Sequence, residues 1–582
     1  MTERASVTQL FSGPRRTRRP SIQARQHAVV AGHPLAALAA QRILDRGGNA
    51  ADAGVAAGLC IDVLLPDLVS LGGVAPIIYY QAETGAVETI SGVGRWPRAA
   101  TIENVRDERT GDMARDLRCC VVPAAVDAWI TALERYGSMT FGEVAADATT
   151  LCERGFAVYD VLAAGIALRE EKFRRWASSG AIFMPEGRPL GIGDVVVQRD
   201  LGRTLRRLAE AESKTPGGRT AGLRAARELF YRGAIGREIA AYSQANGGLL
   251  TYEDIAAFAV KVERPITTTY RGYELYGCGP WCQGPTLPIA LNVVEGYDLA
   301  GMGHNSPAYL HVVAEALKCA FSDREHYVGD PEFVAVPIAA LLSKERGAAW
   351  RARIDERRAY PELPRRLPVG ASQGVAQPSP NPTEAPLPPD TSYVCVVDEA
   401  GNVFSSTPSD GFTEVPIVPG LGFVISPRGT QAWLDPAHPA SVQPGKRPRL
   451  TTNPFILFKD GRPVMPFGTP GADVQPSAML QFVLNVVDFG MDPQEAAEAP
   501  RLATYSMPIT ADPHPYRPNL LRVEARVGEE AVAGLAERGH DVRPWPDWHP
   551  EAGSVCGIWI DRERRVLTAG ADPRRVAYAL GW

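Results

Sequence analysis

No sign of charge prevails in this chain: 61 Lys and Arg stand against 66 Asp and Glu, a net charge of −5, with both signs interspersed. Without a basic surplus there is no electrostatic reason to expect a nucleic-acid or anionic-membrane partner. Long apolar runs are lacking too. The stretch 28–40 is interrupted by His33 and Pro34 and is too short to cross a bilayer. The polar start, with Arg15-Arg16-Thr17-Arg18-Arg19, has no apolar segment behind it such as a secretion signal would need. Cysteines are few and odd in number, nine in 582 residues, and so large a chain does not depend on disulfide staples. Cys278 and Cys282 are the one pair near metal-ligand spacing, and no second Cys or His pair completes a tetrahedral site. His438, His540 and His549 also stand apart, so neither a metal nor a cofactor is expected. Together these absences predict a reduced, cytoplasmic protein with a disordered basic start over 1–26.

What is present is globular: 45% hydrophobic and 22% charged residues exclude a mainly disordered chain, while 56 Gly and 49 Pro predict many loops. A helix is predicted from Pro34 to Arg46, stopped by Gly47-Gly48. Asn49 then caps a second helix over 50–63. Ser306-Pro307 opens a third, whose Leu310, Val313, Ala314, Leu317 and Phe321 recur at helical spacing and define a core face. Strands are predicted at 74–80, 267–276, 393–397, 455–458 and 555–560. Separate helices and many strands indicate an α+β or α/β layered architecture rather than a repeat.

The sharpest change of composition is at 361–390, which holds Pro361, Pro364, Pro368, Pro378, Pro380, Pro382, Pro386, Pro388 and Pro389 and reads as an extended linker. It ends at Asp390-Thr391, where a β-rich run begins, predicted as a hairpin whose first strand starts at Thr391. Threonine is a good strand former, so its place there has a purely structural explanation. A chain cut before Thr391 would make it something else. The new α-amino group, with a reference pKa of about 7.7–8.0, could take the proton from the residue's own hydroxyl, uniting nucleophile and base.

At these residues the sequence resembles the gamma-glutamyltransferase family of N-terminal-nucleophile hydrolases. The resemblance extends over nearly the whole chain, through Gly47-Gly48-Asn49-Ala50-Ala51-Asp52-Ala53, Gly247-Gly248-Leu249-Leu250-Thr251, Tyr270-Arg271-Gly272-Tyr273, Glu315-Ala316-Leu317-Lys318 with Asp323-Arg324, Pro444-Gly445-Lys446-Arg447-Pro448 and Phe467-Gly468-Thr469-Pro470-Gly471. It implies a four-layer αββα sandwich and a proenzyme that cuts itself between Asp390 and Thr391. The large part, 27–390, and the small part, 391–582, would stay together as a heterodimer forming one interdigitated catalytic unit. It further implies that Thr391 is the catalytic nucleophile, that Ser409 of Thr407-Pro408-Ser409 supplies a supporting hydroxyl, and that the N–H groups of Gly471 and Ala472 form the oxyanion hole. The substrate would be a small amide of the gamma-glutamyl, glutathione type.

The family's glutamyl-recognition pattern is altered here. Arg95, in Gly94-Arg95-Trp96-Pro97, stands about two residues closer to its proline than the family's arginine does. Leu450 and Thr451 occupy two serine positions, and Arg428 lies where an acidic segment is expected. Arg95, Arg428 and Thr451 are the candidate substrate-binding residues, the arginines through bidentate contact with a carboxylate or oxamate-like group. The alternative for both arginines is a structural ion pair. These departures raise a second functional reading, an amidohydrolase or acylase acting on a non-glutamyl amide, and a third, an unprocessed homologue that only binds.

Overall fold

The computed structural model describes residues 17–369, 375–383 and 391–582. Asp390 and part of the proline-rich segment therefore lie outside the described residues. Two seven-stranded sheets form the centre. One runs, in hydrogen-bonded order, Ile22–Ala24, Val566–Ala571, Cys556–Asp561, Arg462–Gly468, Phe455–Lys459, Tyr273–Gly277, Ile266–Tyr270. The other runs Tyr578–Gly581, Ala28–Ala31, Val394–Val397, Val403–Ser406, Ile77–Gln81, Ala86–Ile90, Val262–Glu263. Each sheet takes strands from both sides of residue 390.

Strand alternation builds the layers. Cys395 and Val397 point between the sheets with Val30, Ile78, Ile456 and Ile558, whereas Val394, Val396 and Phe404 point outward against the helix Ala50–Leu64. On the far side, Phe455, Leu457, Met465 and Phe467 pack against the helices Thr286–Val294, Pro307–Tyr327 and Gln475–Val487. A period of two buries both faces of each sheet, giving helix, sheet, sheet, helix. This is the α+β, four-layer αββα sandwich.

Local signals explain the element ends. The Asn49 side chain accepts from the N–H groups of Ala51 (2.9 Å) and Asp52 (3.2 Å), while Asp52 accepts from the Asn49 N–H at 3.0 Å, a reciprocal cap. Ser306 caps the third helix through the Tyr309 N–H at 3.1 Å. That helix is buried on every side from Tyr309 to Tyr327, not on one face as its apolar spacing predicts. Its charged residues are neutralised inside: Lys318 pairs with Glu315 at 2.7 Å and Asp323 with Arg346 at 2.6 Å.

Three expectations need correction. Residues 267–276 are not one strand; Arg271 and Gly272, at φ 47° and 82°, form a two-residue turn between antiparallel strands. The 74–80 run likewise divides into Val69–Val74 and Ile77–Gln81. Nor does disorder extend to residue 26, because Ile22–Ala24 pairs antiparallel with Val566–Ala571. The described part of the 361–390 segment is tied to the body: the carbonyls of Pro364 and Leu367 accept from Ser322 and Tyr327, each at 2.7 Å, and Asn381 bridges to Tyr516.

Candidate active site

The strand Val394–Val397 sits centrally in its sheet, and Thr391 lies three residues before it in an isolated antiparallel bridge to Ser409. Both side chains are fully buried, with their hydroxyl oxygens 3.2 Å apart. The short strand Ser409–Asp410 pairs with Val69–Val74 through a register break between its two residues. Gly73 permits that approach, since a Cβ there would stand 2.2 Å from the Ser409 carbonyl oxygen.

Behind Ser409 stands Arg428, 0% exposed. Its Nη2 donates to Ser409 Oγ, and its Nε donates to Asp410 Oδ1 at 2.6 Å. Ser426 closes the arrangement by donating to Asp410 Oδ2 at 2.5 Å. Arg428 is thus committed to the buried ion pair that was one of its two sequence readings. The contacts also hold Asp410 at φ 91°, a left-handed backbone that costs a non-glycine residue about 1–2 kcal/mol.

Gly471 and Ala472 lie between the strand Arg462–Gly468 and the helix Gln475–Val487. Gly471 sits at φ 120° and Ala472, the first residue of a 3₁₀ turn, at φ 48°. The N–H of such a first residue has no partner within its own turn, which leaves it available to a ligand. Alanine in this conformation is strained, and a polar chain pins it. The Ala472 carbonyl accepts from Gln283 Nε2 at 3.1 Å, and Gln283 Oε1 accepts from Arg324 Nη1 at 2.9 Å. Arg324 also pairs with Asp473 at 2.5 Å, and Asp473 accepts from the Thr510 N–H at 2.9 Å. Burial opposes the Arg324 charge, but Glu325 and Asp473 outweigh it and hold the guanidinium above its ordinary pKa.

Ala472→Gly would relieve the φ 48° strain while keeping the N–H. Stability is expected to stay level or rise by about 1 kcal/mol, the balance of about 1–2 kcal/mol for the left-handed alanine against glycine's greater loss of entropy. A urea melt measures this, and a clear loss of stability would show that the alanine is not strained.

Thr391, Gly471 and Ala472 line one cavity of about 630 Å³. Thr383, the last described residue before Thr391, lines it as well. Much of its surface is apolar, from Leu65, Leu68, Val161, Leu168, Ile509 and Leu520. Arg95, Arg428 and Thr451 are not among its described lining residues. Arg95 donates to the Gly445 carbonyl at 2.9 Å and pairs with Glu332 at 2.7 Å. Thr451 is bonded to Gln431 through its N–H (3.2 Å) and its Oγ1 (3.1 Å). The structure therefore brings together the nucleophile candidate, its hydroxyl neighbour and the oxyanion candidates, while the three substrate-binding candidates do not line the cavity.

Two packed seven-stranded sheets between helix layers form the fold that the resemblance implies. The gamma-glutamyltranspeptidase family profile matches residues 36–582. The chain belongs to the gamma-glutamyltranspeptidase family. It is an enzyme of that family. Among its relatives is the glutathione hydrolase-like YwrD proenzyme of Bacillus subtilis, 31% identical over 96% of this chain and 99% of that one. Another is the acylase ACY 1 proenzyme of Pseudomonas sp. strain SE83, 33% identical over 88% of this chain and 87% of that one. The solved structure of a cephalosporin acylase from Bacillus halodurans superposes with a TM-score of 0.82 at 29% identity, covering 100% of this chain and 99% of that one.

Within this gamma-glutamyltranspeptidase-family site, sequence reasoning did not give roles to Gln283, Arg324, Asp473 or Thr510. A signal existed for Arg324, a cation inside a helix otherwise dense in apolar residues; Gln283 carried none. His540 also gains neighbours, lying 2.8 Å from His311 and 3.9 Å from Glu315. These are metal-ligand residue types, yet Lys318 already holds Glu315 and His311 Nε2 donates to the Asp355 carbonyl at 2.8 Å. Burial, aided by Lys318, pushes His540 down to about 2. The group is a neutral-ring hydrogen-bond network.

Proposed function

We propose that Thr391 is both the self-cleavage residue and the catalytic nucleophile of an amide hydrolase or acyltransferase. The observation that carries this is the shared cavity: Thr391, whose hydroxyl lies against Ser409, and the Gly471-Ala472 turn both line it. In processing, Thr391 Oγ attacks the Asp390 carbonyl carbon and the peptide C–N bond breaks, moving the acyl group from nitrogen to oxygen. Water then hydrolyses the ester, leaving the Asp390 carboxylate and a free Thr391 α-amino group. In turnover the same hydroxyl attacks the substrate amide, its proton passing to the α-amino group and on to the departing amine.

Ser409 assists because it is itself polarised. A guanidinium is only a donor, so Arg428 occupies an acceptor position on Ser409 Oγ and strengthens the Ser409 O–H as a donor to the oxygen that Thr391 develops. Gly471 and Ala472 supply N–H groups to the tetrahedral intermediate. A reducing, cytoplasmic setting is part of this proposal, on the few, odd-numbered and scattered cysteines of the sequence.

The gamma-glutamyl compounds named for many relatives are the first substrate class to consider. A specific observation favours the second class, a non-glutamyl amide cleaved by an acylase: Arg95, Arg428 and Thr451 do not line the cavity, whose described wall carries five arginines (Arg169, Arg517, Arg522, Arg543, Arg575) against three acids (Asp67, Asp473, Glu551). Such a wall attracts a carboxylate and repels an ammonium. Comparison of kcat/KM for gamma-glutamyl-p-nitroanilide and for glutaryl-p-nitroanilide, its analogue without the amino group, is expected to favour the latter. A strong preference for the gamma-glutamyl compound would return the enzyme to the glutathione-type reading.

A further inference from the structure

Part of the cavity lining comes from a three-stranded sheet, Leu502–Thr504, Leu520–Glu524 and Asp541–Trp545, separate from the two central ones. Along its middle strand, Leu521 and Val523 enter the helix-side core, while Leu520 and Arg522 line the cavity. Arg522 lies directly opposite Arg543 on the parallel neighbour, and Arg543 lines the cavity too. Like charges at opposed sheet positions are destabilising unless something answers them.

Little among the described residues does. Arg543 pairs with Asp541 at 3.0 Å, an exposed contact worth little. Arg522 is half-buried with its guanidinium 5.5 Å from the centre of the Trp545 ring, and no carboxylate lies within ion-pair distance of it among the described residues. Arg517, just before this strand, is also half-buried and lines the cavity with no side-chain hydrogen bond or ion pair among the described residues. The lining acids are placed elsewhere. Asp473 is held by Arg324, Asp67 lies near Arg169, and Glu551 accepts from Trp545 Nε1 at 3.1 Å.

We infer that Arg517 and Arg522 form a carboxylate subsite, and that this enzyme acts on amides whose acyl or amine part ends in a carboxylate. The inference rests on the amide-cleaving function proposed above and names its substrate class. A guanidinium offers a planar fork of donors that matches a carboxylate, and partial burial sharpens the preference for an anion over water. The site is independent of Arg95 and Arg428, which are consumed by Glu332 and Asp410.

Three amides test it on the processed enzyme: butyryl-p-nitroanilide, which is neutral; glutaryl-p-nitroanilide, with the carboxylate on the acyl part; and 4-butyramidobenzoate, with it on the amine part. At least one of the charged amides is expected to exceed the neutral one in kcat/KM. The Arg517→Ala/Arg522→Ala double variant is expected to cut that advantage roughly tenfold to a hundredfold, the loss of hydrogen bonds to a charged group. The amide that suffers tells which end of the substrate faces the wall. An advantage that survives the double variant, or no advantage for either charged amide, overturns the subsite. If no amide is turned over in a Thr391-dependent way, the proposed function fails separately. Calorimetric titration with glutarate then decides the subsite alone, arginine-dependent binding sustaining it and its absence overturning it.

Discussion

Thr391→Ala is expected to leave the chain as a single 62.7 kDa band without amide turnover, whereas the wild type separates on a denaturing gel into parts of roughly 42 and 21 kDa, the shares on either side of the 390/391 bond. The substitution removes one hydroxyl, which meets Ser409 at 3.2 Å, and one methyl group from a buried position, so the fold should survive and only the chemistry should stop. Loss of a nucleophile that works as a unit with its base costs on the order of 10⁶ in kcat. Thr391→Ser keeps an attacking oxygen and is expected to cut, more slowly. The pH profile carries the second half of the claim. Once the α-amino group is free, with a reference pKa of about 7.7–8.0, it must be unprotonated to accept the proton, so kcat/KM falls as pH drops through that value. N-terminal sequencing of the smaller part should read Thr391-Ser392-Tyr393. A single intact band from folded wild type would leave the unprocessed, binding-only reading in its place.

Much of the site was legible because short-range chemistry creates it. Asn49 and Ser306 announce their helices through caps spanning three residues, and proline density followed by a β-rich run marks the approach to Thr391. The roles of Ser409, Gly471 and Ala472 came from the family resemblance, not from a local pattern. What stayed hidden depends on residues far apart in sequence. Gln283 and Ala472 meet across 189 positions, and Arg324 and Asp473 across 149, with no spacing to betray them. Arg428 could be read as a carboxylate ligand because its partner, Asp410, reaches it only through a register break that a strand pattern does not disclose. The arginines that line the cavity were invisible for the same reason. Arg522 and Arg543 look like ordinary surface cations until a parallel pairing sets them side by side.

The same long-range network explains how Ala472 is held at φ 48°. Gln283 bonds both the Ala472 carbonyl (3.1 Å) and the Thr451 carbonyl (2.7 Å), tying the oxyanion turn to the strand-entry segment beside it. Arg324 fixes Gln283, and Asp473 fixes Arg324. The turn is therefore held from behind by buried charges whose mutual pairing offsets the cost of removing them from water. Preorganisation of this kind is what an oxyanion site requires, since donors that must reorient during reaction lose much of their value.

Ala472→Pro tests that turn where it bears on the reaction. Proline lacks the N–H and fixes φ near −65°, whereas Ala472 stands at φ 48°, so the substitution removes one donor and turns the neighbouring peptide away from the cavity. Loss of a single oxyanion donor typically costs about 10²–10³ in kcat, and the added displacement should place this variant at or beyond the upper end. Self-cleavage passes through a tetrahedral oxyanion as well and is expected to slow in parallel. The signature separates the oxyanion role from simple damage. A donor used only in the transition state lowers kcat and kcat/KM together with KM little changed, while a deformed pocket raises KM. Ala472→Gly, which keeps the N–H, serves as the matched control and should process and turn over like wild type. A folded Ala472→Pro enzyme with wild-type turnover would remove Ala472 from the oxyanion site and leave Gly471 to act with a donor from another segment of the cavity wall.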